Sequence, residues 1–174
     1  EDNPDMRDGL SAFLSFTKGF ELVGSFVNCT DSENHVQALQ PDIILMDIEM
    51  PEVNGLVGIQ KIRATNSEVK IIMLTVFEDN QHVFNAICSG ANGYLLKKSS
   101  PEQIISAIHE VLAGGSPMTP SIASRVLKLL SDSNLSSRQK QDYGLTPREK
   151  EILQSLVNGN SYKMISAEQA ISID

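Results

Sequence analysis

The fold is written most plainly in the stretch Ile43-Ile44-Leu45-Met46-Asp47-Ile48-Glu49-Met50-Pro51. Four consecutive apolar residues match a strand buried on both faces of a parallel sheet, and a carboxylate follows at once. Two further runs have the same form. Ile71-Ile72-Met73-Leu74 ends in Thr75, and Tyr94-Leu95-Leu96 ends in Lys97. Around them the spacing turns helical. Met6, Leu10, Phe13 and Leu14 predict a helix from about Pro4 to Thr17. Asp31 is read as the N-cap of a helix over about Ser32–Gln40, and Ile59 and Ile62 mark another from about Asn54 to Thr65. Val83, Phe84 and Ile87 mark a further helix. In the last one Ser100 is the cap, Pro101 the first turn, and Ile104, Ile105, Ile108, Val111 and Leu112 the buried side. Glu21 to Val27 reads as one more strand. Strands alternating with helices predict an α/β, doubly wound parallel sheet over residues 1–113.

Beyond Gly114-Gly115-Ser116-Pro117 the pattern changes. Residues 114–144 read as a linker carrying one helix at about 119–131, with Ile122, Val126, Leu129 and Leu130 on one stripe; the polar stretch from Ser131 to Gly144 reads as flexible. Thr146-Pro147-Arg148-Glu149 is a capping box. The helix it opens, with Ile152, Leu153, Leu156 and Val157, begins a partial all-α domain over 145–174. Asn158-Gly159-Asn160 turns the chain toward a second short helix from Ser161 to Glu168.

Of the 174 residues 41% are apolar and 21% charged, which suits a globular chain rather than a disordered one. The net charge of −8 is uneven: −9 over residues 1–113, +2 over 114–144 and −1 over 145–174. An acidic first block excludes direct phosphate-backbone binding there, and nothing in the third block is an electrostatic footprint for DNA. No stretch is long and apolar enough for a membrane span, and no secretory leader opens the chain, so a cytoplasmic protein without a membrane partner is expected. Cys29 and Cys88 form neither a disulfide framework nor a zinc site. His35, His82 and His109 stand singly and read as surface or satisfied side chains.

In an open parallel sheet ligands bind beyond the carboxyl ends of the strands, so Asp47, Thr75 and Lys97 are expected to converge on one edge, joined by Glu1 and Asp2 from the loop before the first helix. Gathered carboxylates repel one another, and oxygen ligands with incomplete protein coordination favour Mg²⁺. Asp47 can then act as a carboxylate nucleophile and form an aspartyl phosphate. Lys97 pairs with phosphoryl oxygens as a point charge, while Thr75 donates its hydroxyl and Val76 its backbone N–H.

These residues carry a resemblance. Glu1-Asp2, the run through Asp47 to Pro51 followed by Gly55, Met73-Leu74-Thr75, and Gly90-Ala91-Asn92-Gly93-Tyr94-Leu95-Leu96-Lys97 together resemble the receiver domain of bacterial response regulators. The tail from Leu145, with Gly159 and Ser161, resembles the start of a NarL/LuxR-type helix-turn-helix. The resemblance implies a flavodoxin-like, five-stranded sheet in the order 2-1-3-4-5. It implies phosphorylation of Asp47 by a sensor histidine kinase. It also implies Mg²⁺ held by Asp2, Asp47 and the backbone carbonyl of Glu49, with Glu1 helping through water. Thr75 and Tyr94 become the switch pair, the ring turning inward behind the hydroxyl. A homodimer on activation and promoter DNA are the implied partners, with DNA binding not expected of this fragment itself. Self-phosphorylation and self-dephosphorylation at Asp47 are the only expected reactions.

The sequence departs from the family at several points. The first, central strand is absent before Glu1, and the tail ends where a recognition helix should begin, so a chain trimmed at both ends is expected. An ammonium at Glu1 would sit inside the metal site and weaken it. A structure of this chain is expected to show a gap at the sheet centre or a strand donated by another molecule. Lys98 stands where an acid is frequent, and Ser166 where alanine is usual. The rival reading is a phosphohydrolase of the haloacid-dehalogenase kind, with Asp47 as nucleophile and Glu49 where such enzymes usually carry aspartate. A third is a receiver that never sees phosphate and acts as a fixed interaction module.

Overall fold

The computed structural model describes residues 1–138 together with Thr146, Glu149 and Glu151. Helix α1 (Pro4–Phe16) starts where Asn3 accepts the Met6 N–H and Pro4 fills the first turn. Helix α2 (Ser32–Leu39) ends at Gln40, which adopts a left-handed conformation at φ 45. Strand β1 (Ile43–Met46) leads through the Asp47–Asn54 loop to helix α3 (Gly55–Thr65), capped by the Asn54 side chain on Val57 N. Then follow β2 (Lys70–Thr75), α4 (Asn80–Cys88), β3 (Gly93–Leu96), α5 (Pro101–Leu112) and α6 (Pro120–Arg138). Ser100 and Gln103 close a capping box at the start of α5, as the sequence predicts.

The three strands form one parallel sheet in the order β1-β2-β3, with Met46 opposite Met73 and Thr75 opposite Leu96. Side chains alternate between its faces. Ile71, Met73, Tyr94 and Leu96 enter one cluster with Ile59, Ile62 and Val83; Ile72, Leu74 and Leu95 enter the other with Ile104, Ile108 and Val111. Helices therefore cover both faces, and the doubly wound α/β class holds.

The expectations need three corrections. Glu21–Val27 forms no strand: sheet membership needs a ladder partner, and between this segment and β1 lies a cleft of about 230 Å³ lined by Leu10, Leu14, Phe20, Val36 and Ile44. The sheet accordingly has three strands among the described residues, where four were expected of this chain with the family's first strand absent, and the cleft lies where a central gap was expected. Second, Leu112 is half exposed, not on the buried side of α5. Third, Ser131–Arg138 is helical where a flexible linker was expected. That stretch is polar but holds neither glycine nor proline, so nothing in its backbone breaks α6.

The chain packs as two units, Glu1–Asp132 and Ser133–Asp174. In the second, the expected capping box forms: Thr146 N donates to Glu149 Oε2 at 2.7 Å, and Glu149 N to Thr146 Oγ1 at 3.3 Å. The core positions and second helix expected after Glu151 lie outside the described residues.

Candidate phosphoacceptor site

Because β1, β2 and β3 run parallel, the residues that end them share one edge. Asp47 is 4% exposed and Thr75 fully buried. Lys97 joins them to the loop before α1: its Nζ lies 2.7 Å from Asp47 Oδ2 and 2.9 Å from Glu1 Oε1. The second Asp47 oxygen accepts the Ile48 N–H at 2.7 Å. Burial works against the Lys97 ammonium, but the hydrogen bonds and charges of Asp47 and Glu1 outweigh it and hold its pKa above the usual lysine value.

One carboxylate oxygen each from Glu1, Asp2 and Asp47 lie within 4.8 Å of one another. Hard oxygen donors this close match what a small divalent cation requires. The Glu1 main-chain nitrogen turns to Phe26 O and Met50 Sδ, each at 3.2 Å, while the Glu1 carboxylate faces Lys97. Glu49 lies in the loop after Asp47 with its side chain exposed, and Val76, 62% exposed, follows Thr75.

Thr75 Oγ1 is buried without a hydrogen-bond partner, while the Thr75 carbonyl accepts Lys97 N at 2.9 Å. An orphan hydroxyl of this kind is costly unless another acceptor arrives. Tyr94 is turned inward, 1% exposed, and its hydroxyl donates to Phe77 O at 3.0 Å. Burial, then the charges of Asp79 and Asp47, push the phenol well above its ordinary pKa, so it remains a donor.

A response regulator receiver domain matches residues 1–109. The chain belongs to the response regulator family. The nitrate/nitrite response regulator NarL of Escherichia coli K12 is 31% identical over 95% of this chain and 76% of its own length. The transcriptional regulatory protein LnrK of Bacillus subtilis 168 is 32% identical over 99% of this chain and 81% of its own. A LuxR-family response regulator from Aurantimonas sp. SI85-9A1 superposes with a TM-score of 0.70 at 26% identity, covering 75% of this chain and 94% of that one. The chain is thus a two-component response regulator of the NarL/LuxR kind, and the family match is to receivers rather than to haloacid-dehalogenase-type phosphohydrolases.

Sequence reasoning missed three features of this receiver site. Arg7 Nη1 donates to Glu1 O at 3.1 Å and Asp2 O at 3.2 Å, holding the acidic loop through its backbone. Gly55 packs so closely that a Cβ there would lie 1.9 Å from Asp47 O. Lys98, noted only as a departure from the family, pairs with Glu78 at 2.5 Å and ties the loop after β3 to the loop after β2. The position of Gly55 in the run from Asp47 was a visible signal; carbonyl directions were not.

Proposed function

We propose that Asp47 is the phosphoacceptor of this response regulator. A carboxylate oxygen of Asp47 attacks phosphorus, the bond to the donor breaks, and the electron pair leaves with the donor, a histidine of a sensor kinase or the acetate of acetyl phosphate. Lys97 supports this reading most directly: it already holds the Asp47 carboxylate at 2.7 Å at an edge where three carboxylates converge. Little covalent chemistry is asked of the protein beyond positioning and charge stabilisation. Glu1, Asp2, Asp47 and the backbone carbonyl of Glu49 hold Mg²⁺. That ion, when bound, suppresses repulsion among the carboxylates and neutralises phosphoryl oxygens. Lys97 and the Val76 N–H bind the phosphoryl oxygens, and the unpartnered Thr75 hydroxyl turns to one of them.

Thr75 and Tyr94 form the switch. Moving a two-state receiver from about 1:99 to 99:1 takes about 5.5 kcal/mol of differential stabilisation, and a dianion met by a metal, an ammonium and a hydroxyl can supply it. The organisation that fits is a receiver over 1–113, a linker over 114–144 and a partial helix-turn-helix over 145–174. In the intact protein phosphorylation promotes a homodimer on promoter DNA, in the cytoplasm where the kinase presents its phosphohistidine. Among the described residues no helix is long and apolar enough to cross a membrane. The chain's own reactions are self-phosphorylation and self-dephosphorylation at Asp47.

Acetyl phosphate labelling with Mg²⁺ tests the assignment. Wild type takes one phosphoryl group and Asp47→Asn takes none; labelling of the Asn variant overturns the acceptor. Multiple turnover of a small phosphate ester, in place of one slow self-dephosphorylation, would restore the phosphohydrolase.

A further inference from the structure

Ile122 lies in the segment that composition marks as a connector, yet it is fully buried. It belongs to the same cluster as Tyr94, Val83 and Ala86, with Met118 and Val126 packed against that cluster. The chain reaches this seat along the open edge of β3. Tyr94 N donates to Pro117 O at 2.9 Å, and Met118 forms a parallel bridge with Tyr94. The edge is shaped for this: a Cβ at Gly93 would stand 3.0 Å from Pro117 Cγ and 3.1 Å from Pro117 O. Arg125 Nη1 reaches Asn80 Oδ1 at the first residue of α4 at 3.4 Å.

Tyr94 is therefore gripped twice. Its backbone carries the strap at Pro117–Met118, and its hydroxyl is held by Phe77 O, two residues beyond Thr75. We infer that residues 117–126 form a docked arm of the receiver, seated on Tyr94 and α4, and that the phosphoryl state of Asp47 reaches α6 through Thr75 and Tyr94. The coupling rests on the assignment of Asp47 and Thr75 above. A phosphoryl oxygen gives the orphan Thr75 hydroxyl an acceptor and fixes the loop through Val76 and Phe77. That loop fixes the ring inward, and with the ring inward the arm has its seat. The phosphoryl group thus tightens the arm, and α6 continues from it as one helix to Arg138.

Hydrogen–deuterium exchange of the full chain with Mg²⁺, with and without beryllofluoride as phosphoryl mimic, tests this. Amides of residues 75–77 and those of 117–126 are both expected to slow, the latter by about tenfold. Slowing confined to 75–77 overturns the coupling while leaving the Asp47 site intact. Slowing at neither place overturns the Asp47 assignment and the coupling with it. Ile122→Ala, and Arg125→Ala should the first variant lose its fold, are expected to keep acetyl phosphate labelling but to lose most of the response at 117–126. A wild-type response in Arg125→Ala together with a folded Ile122→Ala removes the proposed seat.

Discussion

Lys97 pairs with two carboxylates at once, and one of them, Asp47, has almost no contact with solvent. Removing the cation strands a buried charge, which costs far more than an exposed pair is worth. Lys97→Met is expected to lower the urea-unfolding free energy by about 3–5 kcal/mol without divalent cation, and added Mg²⁺ should recover part of the loss. The sign with pH follows from the raised Lys97 pKa. Its stabilisation is complete below the ordinary lysine value of 10.5 and is lost as pH rises through the higher folded value, so unfolding titrations above 10.5 should show a decline that Lys97→Met lacks. Thr75 behaves in the opposite way. Its hydroxyl has no partner, so Thr75→Ala should leave stability unchanged or raise it by about 1 kcal/mol in the same titration; labelling should persist while the response at Tyr94 disappears. Asp47, Thr75 and Lys97 were legible because each ends a buried run and the parallel sheet does the rest. Arg7 and the Phe77 carbonyl were not, since both act through backbone carbonyls whose direction no side-chain pattern records.

Among the elements, α3 is the one that fixes the acceptor. Its first residue, Gly55, donates to Ile48 O at 2.9 Å and lies against Asp47 O, where a Cβ has no room. Gly55→Ala should cost about 1–3 kcal/mol in thermal or urea unfolding, as overpacking does, and should slow acetyl phosphate labelling by moving the Asp47 backbone. Helices with both a cap and an apolar stripe could be read directly: Asn54 opens α3 and Ser100 opens α5. The segment Glu21–Val27 misled because its apolar residues have strand character on their own, while strand pairing is a property of neighbours. Ser131–Arg138 misled in reverse, since a helix and a loop can share a polar composition.

For the molecule as a whole, the −9 carried by residues 1–113 includes an acidic trio held at one edge, and that concentration of charge is what a divalent cation relieves. Mg²⁺ should raise the unfolding free energy by about 1.4 kcal/mol for each tenfold excess over its Kd; Asp2→Asn should shift that dependence to higher Mg²⁺, read by thermal melts across a titration. The measurement closest to the central claim locates the phosphoryl group chemically. An acyl phosphate is reduced by borohydride to a primary alcohol, whereas a phosphate ester is not. After acetyl phosphate treatment and borohydride, peptide mass spectrometry should find the Asp47 side chain, and no other carboxylate, converted to the alcohol. Phosphate in the chain with Asp47 unreduced, or reduction at another carboxylate, would contradict the account.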